Sequence, residues 1–137
     1  MISVDTNVLA RFYCDDPSDP EAGKQRPAAR RLVLGSKTLF VPVTVVLELE
    51  WVMRGFYGLG TAEVCGVFEH LLGMPTVTVE RWEAVKDAVD LARQGIDFAD
   101  ALHLATSRAC EAFATFDKAL ARSAMRTEAV PGVSLVR

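Results

Sequence analysis

Short β-leaning runs alternate with helical segments from one end of this chain to the other, and no other feature limits its fold as much. The runs are "MISV", "KTLFVPV", "TVTV", "AFATF" and "VSLV", and each pair is separated by at least one segment with helical spacing of apolar residues. A helix between two strands returns the chain to the same edge, so successive strands run parallel; the pattern predicts an α/β fold with a central, mainly parallel sheet. At 137 residues the chain has the length of one domain, and 1–137 is read as a single unit without internal repeats or low-complexity tracts.

The strand over Met1–Val4 is expected to be buried and to lead directly into a helix marked by Val8, Leu9 and Phe12. "CDDPSDPEAGKQRP" has the composition of a surface loop and precedes a helix over "AARRLVLG". Helical spacing returns from Val45 to Tyr57, ending at Gly58, and Thr61 with Glu63 opens a helix that closes near Gly73. In "ERWEAVKDAVDLARQG" the face Trp82, Val85, Val89 and Ala92 is apolar and Gly95 is the residue after the cap. Asp97 then opens "FADALHLATSRAC", and "KALARSAM" supplies a last short helix.

The net charge of −3 excludes a protein that coats nucleic acid by overall positive charge, so a polyanion would need a local basic patch or a metal. Cys14, Cys65 and Cys110 are odd in number and lack C-x-x-C spacing, which suggests neither a zinc site nor a disulfide framework; they read as buried small residues in a reducing cytosol. The most apolar stretch, "LFVPVTVVLELEWVM", contains Glu48, Glu50 and a proline and is too polar to span a membrane, and Asp5 interrupts the first apolar run before it could serve as a signal peptide. A cytoplasmic, soluble chain is expected. Half of the residues are apolar and mean hydropathy is +0.20, a hint of oligomerisation or a tight partner.

Ligands of parallel α/β sheets bind at the carboxyl ends of strands, and two strands here each hand over an aspartate: Asp5 after "MISV" and Asp117 after "FATF". Either alone could be a helix N-cap. Glu50 has Arg54 four residues on, a helix-favouring pair, whereas Glu48 has apolar neighbours and no cation within helical reach. Such a carboxylate needs compensation, which a metal ion can provide. Asp97 and Asp100 stand at the start of a helix, where they could serve as N-cap and N3; Asp100 lies off the apolar face of Phe98, Ala101, Leu102 and Ala105. Together these acids are the inventory for Mg²⁺ or Mn²⁺, hard ions that prefer oxygen ligands, and Thr6, Asn7 and Thr115 add groups that could orient ligands and waters.

"ISVDTNVLARF", "VTVVLELEWVM", "IDFADALHLATSR" and "FATFDKAL", in that order and covering nearly the whole chain, resemble the PIN-domain ribonucleases, and among them the VapC-like toxins of bacterial toxin–antitoxin pairs. The resemblance implies a three-layer α/β/α domain in which Asp5, Glu48, Asp100 and Asp117 are the catalytic, metal-holding quartet. It further implies Thr6, Asn7, Asp97 and Thr115 in support; His103 stands in the matching "DALHLA" segment but is read as a satisfied structural histidine. It implies Mg²⁺, with Mn²⁺ as a substitute, an RNA substrate cut to leave a 3′-hydroxyl and a 5′-phosphate, a homodimer, and a cognate antitoxin that blocks the site.

Lys24, Arg26, Arg30 and Arg31 form the densest basic run, either an RNA guide or a solvated helix face, with Arg11, Arg108, Arg122 and Arg126 as further cations. Few exposed aromatics are expected, so base stacking is not indicated. Competing classes are a Mg²⁺-binding receiver-type signalling module, a PIN-fold binding subunit without activity, and a haloacid-dehalogenase phosphatase. The receiver would want adjacent acids after the first strand, but Asp15 and Asp16 follow the first helix. The phosphatase would want an aspartate where Asn7 stands.

Overall fold

Short β-branched and apolar runs form the strands, and amphipathic segments form the helices, in a computed structural model that describes residues 1–137. The chain folds into two compact units, Met1–Glu80 and Arg81–Arg137.

In the first unit the order is β1 (Ile2–Ser3), α1 (Thr6–Tyr13), α2 (Pro20–Val33), β2 (Leu39–Val41), α3 (Val43–Trp51), α4 (Thr61–Leu72) and β3 (Val77–Val79). The strands lie in the order β1-β2-β3 and all pair in parallel, with Ile2 opposite Leu39 and Leu39 opposite Val77. Leu9, Val33, Leu39, Val41, Val46, Leu49, Met53, Phe68 and Leu71 form its core. β1 is an edge strand, and Ile2 and Ser3 are exposed, so the expectation of a buried first strand is corrected: burial begins at Val4.

One helix boundary also differs from expectation. α2 begins at Pro20, within the segment read as loop, because Asp19 caps it by accepting the Glu21 N–H at 3.0 Å and Pro20 occupies the first helical position, where no N–H is needed. Pro27 lies inside the helix, whose buried side, Ala22, Ala29 and Val33, keeps it docked on α1. α3 reaches Trp51 and continues as a π-helical turn, Val52–Phe56, before Gly58 turns the chain at φ +70°.

The second unit holds α5 (Trp82–Arg93), α6 (Phe98–Thr106), β4 (Phe113–Thr115), α7 (Lys118–Thr127) and β5 (Val133–Leu135). β4 and β5 pair in parallel, with Phe113 opposite Val133, and α5 packs along α6. Val85, Val89 and Ala92 of α5 are buried as expected. Trp82, placed on the same face by its spacing, is 52% exposed because it stands at the first helical position. Gly95 takes φ +103° after the cap of α5, a conformation costly for any other residue. The all-parallel pairing and the helices between strands bear out the α/β class.

Candidate metal and nucleic-acid site

Each unit carries its own group of acids at strand ends and helix starts. In the first, Asp5 follows β1 and caps α1, its Oδ1 accepting the Thr6 N–H at 2.8 Å. Thr6 is buried, 3% exposed, and its hydroxyl donates to Oε1 of Glu48 on α3. One buried residue thus orients both acids of this unit, through its backbone to Asp5 and through its side chain to Glu48. Asn7 is exposed and lines a groove with Val8, Arg11 and Gln25.

Glu48 and Glu50 differ in a way the sequence reading missed. Val46, Leu49, Glu50 and Met53 form the buried stripe of α3 and its extension, so Glu50 is the buried acid, 3% exposed, while Glu48 faces solvent. Arg54 Nε donates to Glu50 Oε1 at 2.8 Å, which satisfies the buried carboxylate.

In the second unit Asp97 caps α6, its Oδ2 accepting the Asp100 N–H at 3.2 Å. Asp117 follows β4 and caps α7, accepting the Leu120 N–H at 3.0 Å, while Thr115 Oγ1 accepts the Asp117 N–H at 3.0 Å. Capping and strand-end placement therefore coincide at both Asp5 and Asp117, and each cap engages Oδ1 alone. Partial burial pushes the Asp100 carboxyl above the usual aspartate range; Asp97 and Asp117 push it the same way, and His103 opposes them. His103 is exposed and lies parallel to the Phe113 ring, centroids 6.2 Å apart and planes 12° apart.

The structure thus brings together Asp5, Thr6 and Glu48 in one unit and Asp97, Asp100 and Asp117 in the other. Within either unit no three His, Cys, Asp or Glu side chains group into a ready-made ion cage.

The family model described as PIN domain matches residues 2–124. The chain belongs to the PIN domain family. A comparison with curated proteins finds no match. The PIN fold is a nuclease fold, usually dependent on divalent metal and acting on RNA or other nucleic acid. The match runs through both acid groups and takes in every residue of the quartet read from the sequence.

The residues present fit a hard divalent cation. Their donors are all oxygens, and the Asp100 carboxyl, held up first by partial burial and then by Asp97 and Asp117, has its charged form favoured by a cation.

Three expectations about the surroundings change. Cys14 and Cys65 are buried, and burial pushes the Cys14 thiol up, but Cys110 is exposed at the end of the turn after α6. Two of the four cations in the basic run are engaged locally, Arg26 pairing with Asp15 at 3.1 Å and Arg30 lying 6.0 Å from the Phe12 ring centroid, and outside the run Arg11 donates to Tyr57 Oη at 2.9 Å. Exposed aromatics are not few, since Trp51, Phe56, Trp82 and Phe116 are all more than half exposed. No helix is long and apolar enough to cross a membrane.

Proposed function

We propose that this PIN-domain protein is a metal-dependent endoribonuclease and the toxin of a toxin–antitoxin pair. On this reading the two units are halves of one catalytic domain, and Asp5, Glu48, Asp100 and Asp117 together hold Mg²⁺, for which Mn²⁺ can substitute. The observation that carries the reading is the double grip of Thr6, whose buried position and two hydrogen bonds hold Asp5 and Glu48 in fixed orientation. Such support of carboxylates by a buried neighbour is what ligand positioning requires.

When bound, the metal would lower the pKa of the attacking water and offset charge on the phosphate. The chain's own residues do the rest. Thr6 aims Glu48, Asp97 anchors the first turn of α6 and with it Asp100, and Thr115 fixes the backbone of Asp117. Hydrolysis adds water across the P–O3′ bond, so the 3′ oxygen leaves as a hydroxyl and the other product keeps a 5′-phosphate. The family resemblance also supports a cytoplasmic homodimer inhibited by a cognate antitoxin protein, and the exposed Trp51 and Phe56 offer apolar surface of the kind such contacts use.

Incubation of total bacterial RNA with the purified protein, in Mg²⁺ or Mn²⁺ and in chelator, tests the proposal. Discrete fragments that need metal and vanish with Asp5→Asn are expected. Absence of metal-dependent cutting by folded protein would favour a PIN-fold binding subunit instead.

A further inference from the structure

Away from the acids of the second unit, α5 and α6 enclose an open groove of about 650 Å³, within the size range of small-ligand sites. Its chemistry is specific. Trp82 presents an exposed indole at the start of α5, Lys86 stands one turn further along the same helix, and Arg108 approaches from the end of α6. Arg81 lies across the mouth, its guanidinium donating to the Thr106 carbonyl at 3.3 Å. Arg108 is held by Asp87 at 2.9 Å, which fixes its direction, while Lys86 makes no ion pair.

An exposed aromatic face ringed by three cations matches a nucleotide strand, which offers a base to stack and phosphates to neutralise. Asp87 and Glu83 reduce the local charge, so the groove suits a few nucleotides better than a long duplex. Thr106, on the groove, lies six residues past Asp100, about 9 Å along α6 and about 120° around it, so the groove opens on a different side of the helix from that acid.

We infer that the groove between α5 and α6 is a single-stranded RNA subsite apart from the acids, in which Trp82 stacks on a base of the bound strand and Arg81, Lys86 and Arg108 hold the adjoining phosphates. This rests on the nuclease reading above, but it concerns binding, which can be measured without cleavage.

The test uses the full chain in chelator, with Trp51→Phe so that Trp82 is the one fluorescent indole of the two in the sequence. Titration with short oligouridylate and oligoadenylate is expected to quench Trp82 saturably. Trp82→Ala should weaken binding of a labelled oligonucleotide about tenfold, with Trp82→Phe recovering most of it. Lys86→Ala should lower the slope of log Kd against log salt by about 1. In metal, Trp82→Ala should raise KM for RNA cleavage.

RNA that binds without changing Trp82 emission, and equally well to Trp82→Ala, would overturn the subsite while leaving the nuclease reading intact. Quenching by RNA with no metal-dependent cleavage would keep the subsite and remove the nuclease. Quenching that follows protein concentration without RNA would assign the groove to a second copy of the chain and overturn the inference.

Discussion

The hydroxyl of Thr6, buried at the start of α1, donates to the carboxylate of Glu48, 42 residues further along on α3. Its own backbone N–H is taken by Asp5, so the position of one acid is tied to the other. Thr6→Val keeps the shape and removes the donor, leaving Glu48 free to rotate. Nuclease activity should fall about tenfold with the fold retained by circular dichroism, whereas Thr6→Ser should keep most of the activity. Equal activity in Val and Ser variants would deny Thr6 its positioning role.

Glu50 and Arg54 provide the complementary case, a pair that supports the fold and not the chemistry. Arg54→Ala leaves a buried carboxylate without its Nε donor and should cost about 2 kcal/mol in denaturant unfolding. Glu50→Gln, which retains an acceptor, should cost less. The residual activity of folded Glu50→Gln should stay near that of the parent, while Glu48→Gln should lose nearly all of it. The reverse order would exchange the roles of the two glutamates.

Partial burial of Asp100, with Asp97 and Asp117 nearby, makes the metal-free protein sensitive to pH. Asp100 is raised in the folded state above its unfolded value of about 4, so the folded protein binds more protons than the unfolded chain in the window above that value. Stability from this group is present below the window and is lost as pH rises through it. Asp100→Asn removes the loss, so the melting temperature of the variant minus that of the parent, both in chelator, should grow as pH rises from about 4 toward neutrality. A difference that is constant across this range would contradict the raised carboxyl.

Asp97 acts on the same helix in two opposing ways, capping α6 while adding negative charge beside Asp100. Asn caps as well as Asp, so Asp97→Asn should be nearly neutral for stability, and Asp97→Ala should cost about 1 kcal/mol in thermal or denaturant unfolding. Both should retain more nuclease activity than Asp100→Asn, since Asp97 is placed as a cap in support of the site.

Much of this was legible from residue order. Every β-leaning run became a strand, and the segments around Val85, Phe98 and Leu120 became helices, the first two burying their expected faces apart from Trp82. What failed was local. "PEAGKQRP" reads as loop by its Pro and Gly content, whereas Asp19 before Pro20 is a helix-start signal that outranks those breakers. The helical neighbours of Glu48, Val45, Trp51 and Val52, suggest a buried carboxylate, but Trp51 is itself exposed, whereas Glu50 lies between Val46 and Met53, both fully buried. Trp82 shared the spacing of a buried face yet sits at the helix start, where spacing no longer guarantees a partner. The acids themselves were recognisable by their places after strands, but the grip of Thr6 on Glu48 depends on tertiary contact between α1 and α3 and has no trace in either segment alone.

The most direct measurement of whether the acids of both units serve one centre is a double-mutant comparison of kcat/KM on a defined RNA in Mg²⁺. Asp5→Asn and Asp117→Asn, one from each unit, should each lower it by at least about a hundredfold, and the double variant should be no worse than the weaker single. Losses that multiply in the double variant, or near-parental rates in either single, would contradict a shared centre.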